Sequence, residues 1–193
     1  MKTEIRLDWS GSVQASVLCR GIVAADPDFF RLFAGDEKIL SETLCALAAV
    51  SASDYYRPLL AKKDDAMLGF LFAYPLAEMF SRQVQSLRSL VTLSPDLPSL
   101  RSGLTELAKS KGHLRSTESF YLTRIYLEPW ARGKGIGDLL MEEFQAAGIA
   151  RGFSSLSLHV RRENSLAQCF YERFGFGYSD KEASGYLSME KKI

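Results

Sequence analysis

The chain has 193 residues, 47% hydrophobic and 24% charged, with a net charge of +1. That length suits a single domain over residues 1–193 with a full core, and the balanced charge gives no global field to draw in nucleic acid or an anionic membrane. Three cysteines without paired spacing (Cys19, Cys45, Cys169) and only two histidines (His113, His159) argue against a metal site. The cysteines read as buried reduced thiols. The opening residues alternate polar and apolar rather than forming a signal peptide, and no apolar run spans a bilayer, so the expected location is the cytoplasm.

Residues 4–8 read as a short strand. A helix opening at Gly11 or Ser12 follows, carrying Val13, Val17, Leu18, Ile22 and Val23. Asp26 caps a further short helix with Pro27 in its first turn, and after a break at Gly35-Asp36 the residues Ile39, Leu40, Leu44 and Leu47 predict another. Residues 55–62 and 66–74 read as an antiparallel hairpin turning at Lys63-Asp64-Asp65, with Gly69 marking a bulge or a close backbone approach. Residues 76–116 change character. A helical stripe runs through Leu76, Met79, Phe80, Val84, Leu87 and Val91, then come a linker at 93–98, a second helix over 99–109 and a C-cap at Gly112.

Residues 120–127 form the most strand-like run, stopped by Glu128-Pro129. Arg132-Gly133-Lys134-Gly135-Ile136-Gly137 follows, leading into a helix over 138–150. Such a turn presents free amides at a helix N-terminus, where the dipole also favours an anion, and Arg132 and Lys134 add charge. Downstream come a strand over 153–160, a polar turn at Arg161-Arg162-Glu163-Asn164-Ser165 read as solvated, a helix over 166–174, and strand-like residues at 178 and 186–189. Taken alone, the glycine turn is either a phosphate cradle or merely a tight connection. It is not a P-loop, because Gly135 follows Lys134 where Ser or Thr is needed and position 129 is Pro. Nor is it a dinucleotide turn, since the glycines are spaced Gly-x-Gly-x-Gly and the next strand ends in His159-Val160-Arg161-Arg162, without an acid for a ribose.

The C-terminal third is more specific. Ile125-Tyr126-Leu127-Glu128-Pro129, the turn, Leu158-His159-Val160, and Asn164-x-x-Ala167-x-x-Phe170-Tyr171-x-x-x-Gly175-Phe176 stand in order and at spacing that closely resembles the GNAT superfamily of acetyl-CoA-dependent N-acetyltransferases. Arg132, Gly135 and Gly137 match the family turn Arg/Gln-x-x-Gly-x-Gly/Ala. The resemblance covers residues 119–178 well and 1–75 as a pattern of elements; residues 76–116 lie outside it. It implies an α/β (α+β) fold: a mixed, mostly antiparallel central sheet flanked by helices, with a helical hairpin inserted between the third and fourth strands. It also implies acetyl-CoA as cosubstrate and no metal. The backbone of Arg132, Gly133, Lys134, Gly135, Ile136 and Gly137 would hold the pyrophosphate. The pantetheine arm would lie along Ile125, Tyr126 and Leu127, with an amide near Leu127 polarising the thioester carbonyl. Asn164 would bond the arm, and Tyr171 would protonate the departing thiolate as general acid.

Some members place a glutamate base in the strand before the turn. That position falls near Tyr121 here, so that base is absent; Glu118, Glu128, Tyr121 and His159 are weak candidates, and the expectation is a base acting through water or none. The acceptor implied is a primary amine of a small molecule or peptide. The hairpin 76–116, with Arg82, Arg88 and Arg101 read as exposed, is either a lid or wall of the acceptor site, or a homodimer surface or packing extension. The alternative to an enzyme is an acyl-CoA-binding sensor, which would have no need of the acid at Tyr171.

Overall fold

The computed structural model describes residues 4–9, 14–33, 37–94, 96–109, 114, 118–180 and 185–193. The expected helix start at Gly11 or Ser12, the break at Gly35-Asp36, and Gly112 with His113 lie outside them. In chain order the elements are β1 (Arg6–Asp8), α1 (Ala15–Ala25), α2 (Pro27–Arg31), α3 (Glu37–Ala48), β2 (Leu59–Lys63), β3 (Ala66–Pro75), α4 (Met79–Val91), α5 (Leu97–Lys109), β4 (Ser119–Leu127), α6 (Ile136–Ala150), β5 (Ser155–Arg161), α7 (Ser165–Arg173), β6 (Gly177–Asp180) and β7 (Tyr186–Lys192). The strands form one sheet in the order β1-β2-β3-β4-β5-β7-β6. Every neighbouring pair is antiparallel except β4 with β5. This is the mixed, mostly antiparallel sheet that the resemblance implies, with α4 and α5 between the third and fourth strands.

Both faces of the sheet are covered, which is why β3 reads as a continuous apolar run rather than an alternating one. Met67, Phe70 and Phe72 pack into one cluster with Ile22, Phe33 and Leu44 of the N-terminal helical segment. Leu68 and Leu71 point the other way, into a second cluster with Leu140, Met141 and Phe144 of α6. The α6 side continues through Phe120, Leu156 and Leu158 to Tyr171 and Phe176. No helix among the described residues is long and apolar enough to cross a membrane.

Two expectations about β2 and β3 resolve differently. The strand expected over 55–62 begins only at Leu59. Arg57 sits at φ 51°, outside any ladder geometry, and Pro58 has no N–H to give, so the preceding residues form a bend. Tyr55, aromatic and strand-like in composition, is instead fully buried in that bend, its N–H donating to Ser53 Oγ at 3.2 Å. Gly69 is a close approach: a Cβ there would stand 2.4 Å from the backbone oxygen of Tyr126 on β4. The ladder also shifts register beside it, between Ala61 and Lys62.

A second irregularity shapes β4. Its pairing with β3 runs Phe72 to Arg124 and then Ala73 to Leu122, so Thr123 is an extra residue in a bulge. Side chains alternate along a strand, so an extra residue swaps every later side chain to the opposite face. Phe120 and Leu122 lie on the α6 side, and beyond the bulge so do Ile125 and Leu127, whereas Tyr126 packs on the N-terminal helices.

Candidate active site

The parallel strands stay together for only part of their length. Pairing runs from Ser119 with Ser155 to Leu122 with Leu158. Past Thr123, β4 continues to Leu127 and β5 to Arg161 without a ladder between them, which leaves a cleft in the sheet. The N–H of Glu128 donates to Leu68 O on β3 at 2.9 Å. By strand alternation the backbone groups of Leu127 and Ile125 therefore face the cleft. Arg132 Nε donates to Leu127 O at 3.3 Å and ties the glycine turn to the end of β4.

The turn follows one 3-10 turn, Pro129–Ala131, and runs into α6. Gly133 and Gly135 both take left-handed backbone angles, φ 70° and 75°, which side-chain-bearing residues adopt only with strain. Gly135 is the N-cap of α6, and no side chain caps that end. The first amides of the helix, at Ile136, Gly137 and Asp138, thus have no intrahelical acceptor. A Cβ on Gly133 or Gly135 would meet nothing within 4 Å, so backbone conformation and not crowding calls for glycine at both. Gly137 serves packing instead, with Phe170 of α7 3.3 Å from where a Cβ would be. Lys134 lies over the exposed ring of Trp130 at 5.7 Å.

Tyr171 sits on α7, 6% exposed and packed edge-on against Phe170 and Phe176. Burial pushes its phenol above the ordinary tyrosine value, so the hydroxyl keeps its proton throughout the neutral range. Asn164 is the N-cap of α7, its Oδ1 accepting from Ala167 N–H at 3.1 Å, so half of the amide expected to meet a ligand already has a structural duty.

On the opposite face of β4 lies a pocket of about 370 Å³, walled by β4, β5, the bend before β2, and α4 and α5. Tyr121, Thr123 and Arg124 line it from β4, and His159 from β5. The Tyr121 hydroxyl and His159 Nδ1 stand 3.0 Å apart. The Tyr121 ring lies 5.7 Å from that of Tyr74, whose hydroxyl donates to Asp54 Oδ1 at 2.8 Å. Burial holds the Tyr121 and Tyr74 phenols above their usual value, and the Asp54 charge adds to the effect. Of the four base candidates, Tyr121 and His159 reach the pocket together. Glu118 and Glu128 flank β4 at its two ends.

Several residues differ from their sequence reading. Asp26 stands before Pro27 but makes no side-chain cap; its carboxylate binds Arg161 at 2.8 Å and lies 3.9 Å from Arg124. Arg161 is therefore not a solvated turn residue, although Arg162 is exposed. Cys169 is exposed, while Cys19 is buried beside Cys45, the two sulfurs 2.8 Å apart. Asp54 and Arg124 went unnoticed. The available signal was a lone arginine inside an apolar strand, since a buried charge needs a reason.

Arg82 is also not an exposed lid residue. Its side chain is 16% exposed and pairs with Glu78 at 2.7 Å. It donates to Ser51 O at 3.0 Å and Ser53 O at 2.8 Å, and it covers the Tyr74 ring. It fastens α4 to the bend that carries Asp54. Arg82→Ala is expected to cost about 2 kcal/mol, the usual worth of buried hydrogen bonds to a charged group. Thermal unfolding would then fall by roughly 4–8 °C.

A mixed sheet opened between two parallel strands, with a glycine turn at one mouth and a pocket at the other, is an acyltransferase architecture. The sequence model of the acetyltransferase (GNAT) family matches residues 26–176. The chain belongs to the GNAT acetyltransferase family. It is 37% identical over 71 residues to a spermidine N(1)-acetyltransferase of Thermoplasma acidophilum, a match covering 37% of this chain and 44% of that relative. The shared stretch thus spans less than half of the relative's length. Among solved structures, an N-acetyltransferase of Staphylococcus aureus Mu50 superposes with TM-score 0.70 at 12% identity, over 96% of this chain and all of the other. The PaiA N-acetyltransferase of Thermoplasma acidophilum, solved in complex with coenzyme A, gives TM-score 0.56 at 19% identity, over 98% of this chain and 99% of the other. These likenesses show a common fold.

Proposed function

We propose that this protein transfers an acetyl group from acetyl-CoA to a primary amine held in the pocket beside Tyr121 and His159. The observation that carries the reading is the cleft between β4 and β5, with the glycine turn at its end. An amide-bearing arm can lie on the open edge at Ile125, Tyr126 and Leu127 as an added strand. The amides of Arg132, Gly133, Lys134, Gly135, Ile136 and Gly137 suit a pyrophosphate at the head of α6. Gly133 and Gly135 add no side chain there. The Nδ2 of Asn164, the half of its amide not engaged in capping, would donate to the arm after β5.

Acetyl-CoA supplies the activated acyl carbon. Leu127 turns its backbone N–H toward the cleft, where a donor stabilises negative charge developing on a carbonyl oxygen. Tyr171 holds its proton and donates it toward the departing sulfur. On the pocket side, the Tyr121–His159 pair accepts the proton that the amine must lose before it attacks. A polyamine acceptor is the second reading, favoured by the name of the Thermoplasma relative.

The test is free-thiol release from acetyl-CoA across a panel of primary amines. Gly135→Val, which forces a β-branched residue into a left-handed conformation, is expected to raise the KM for acetyl-CoA about tenfold or more and leave the acceptor KM unchanged. Tight CoA binding without thiol release from any amine would make the protein a sensor instead.

A further inference from the structure

The pocket contains a charge arrangement that the transfer reaction does not itself require. Arg124 reaches into it with a side chain only 12% exposed. Three aromatic rings surround the guanidinium, those of Tyr55 at 5.1 Å, Phe29 at 5.6 Å and Phe30 at 5.9 Å. Such rings attract a cation and fix its plane, but they do not neutralise it. Its polar contacts are long: Nη1 is 3.5 Å from Thr123 Oγ1, and Nη2 is 3.9 Å from Asp26. Asp26 is already held at 2.8 Å by Arg161. The Nε of Arg124 is buried without any hydrogen-bond partner among the described residues. A guanidinium has five donors, and the carboxylate nearest to this one stands 3.9 Å away and is shared with Arg161.

A carboxylate of opposite sign lines the same pocket. Asp54 is 6% exposed and takes the Tyr74 hydroxyl on one oxygen. Arg124 and Asp54 thus set one positive and one negative group on the wall of the same pocket. Phe29, Met79, Leu87 and Leu104 make the rest of the wall apolar.

We infer that the acceptor is a free α-amino acid with an apolar side chain, its carboxylate paired with Arg124 and its amino group turned toward Asp54 and the Tyr121–His159 pair. The inference rests on the acyl-transfer reading above and names its substrate class. The planar fork of Arg124 matches a carboxylate in bidentate geometry. The volume suits a small ligand, and the apolar wall suits a side chain such as that of leucine or methionine. A polyamine would set a further cation against Arg124 and bring no carboxylate to its donors.

Binding and turnover separate the two levels of the reading. Isothermal titration into the CoA-loaded protein compares L-leucine, L-methionine and L-phenylalanine, each with the amine lacking its carboxylate, and with spermidine. At least one amino acid is expected to bind about 10–100-fold more tightly than its decarboxylated partner, the worth of a charge-assisted hydrogen-bonded pair. Arg124→Gln is expected to erase that preference and to leave binding of the decarboxylated amine unchanged. If no amino acid outbinds its amine, or if spermidine outbinds them all, the inference is overturned; this comparison uses the wild-type protein and holds even where the variant fails to fold. A preference that survives in folded Arg124→Gln overturns the role of Arg124. An amino acid that binds as expected but releases no thiol leaves the amino-acid site standing and refutes the transfer reading instead.

Discussion

Tyr171→Phe lowers kcat about a hundredfold and leaves the KM for acetyl-CoA within a factor of about two: this is the expected result if the phenol is the proton donor to the leaving sulfur. The substitution keeps the ring contacts with Phe170 and Phe176, so the fold is retained and the loss belongs to chemistry. Burial gives the experiment a second readout. It raises the phenol above its ordinary value, so the protonated form persists well past neutrality. Deprotonation of Tyr171 therefore produces no alkaline decline in kcat below about pH 10, the ordinary tyrosine value. The same raised value makes Tyr171 a held hydrogen-bond donor that yields its proton late, as sulfur charge develops, rather than a strong acid. An unchanged kcat in the variant would mean that the thiolate departs without help from this residue.

The largest expected effect on stability comes from a position with no side chain at all. Gly69→Ala places a methyl group 2.4 Å from Tyr126 O and 2.6 Å from Leu127 Cδ2. The nearest atom is backbone, so no rotamer change relieves the clash, and β3 and β4 must separate. Overpacking of this kind costs about 3 kcal/mol at the upper end of its usual range. For a chain of this length the unfolding temperature then falls by roughly 6–12 °C. The strain falls on the residues whose other edge faces the cleft, so the surviving folded protein is expected to show a raised KM for acetyl-CoA as well. Denaturant unfolding and a KM series check the two halves, and unaltered stability would mean that the sheet accommodates the methyl group.

The parts legible in the sequence were those whose chemistry is local. The glycine turn announced itself because glycines at a strand–helix junction are needed for left-handed backbone, and Gly133 and Gly135 are in that conformation. The order of strands and helices was readable from periodicity, and Gly69 from its position within an apolar strand. The parts that escaped depend on distant residues. A period-two reading of β4 puts Arg124 on the same face as Leu122; only the bulge at Thr123 sends it to the pocket, and a bulge depends on the partner strand. Asp26 has the local look of a helix cap, but Arg161 is a stronger partner, and it arrives from across the sheet. Asp54 lies just before the stretch expected as a strand, in a bend that Arg82 anchors from α4. Tyr121 and His159 were named among four candidates, and what brings them together is the parallel pairing of strands that are distant in sequence.

The extra residue in β4 also bears on how such a protein can diverge. Removing Thr123 would close the bulge and restore plain alternation, with Arg124 still on the pocket side and Ile125 and Leu127 still against α6. A single-residue deletion or insertion elsewhere in the strand, where no bulge absorbs it, inverts a whole half-strand at once, with no gentle intermediate. Substitutions at pocket-lining positions carry no such penalty. The strand is therefore free to change its composition over evolutionary time but its length only at the bulge, and new acceptor preferences would arise chiefly by side-chain exchange between Ser119 and Leu127.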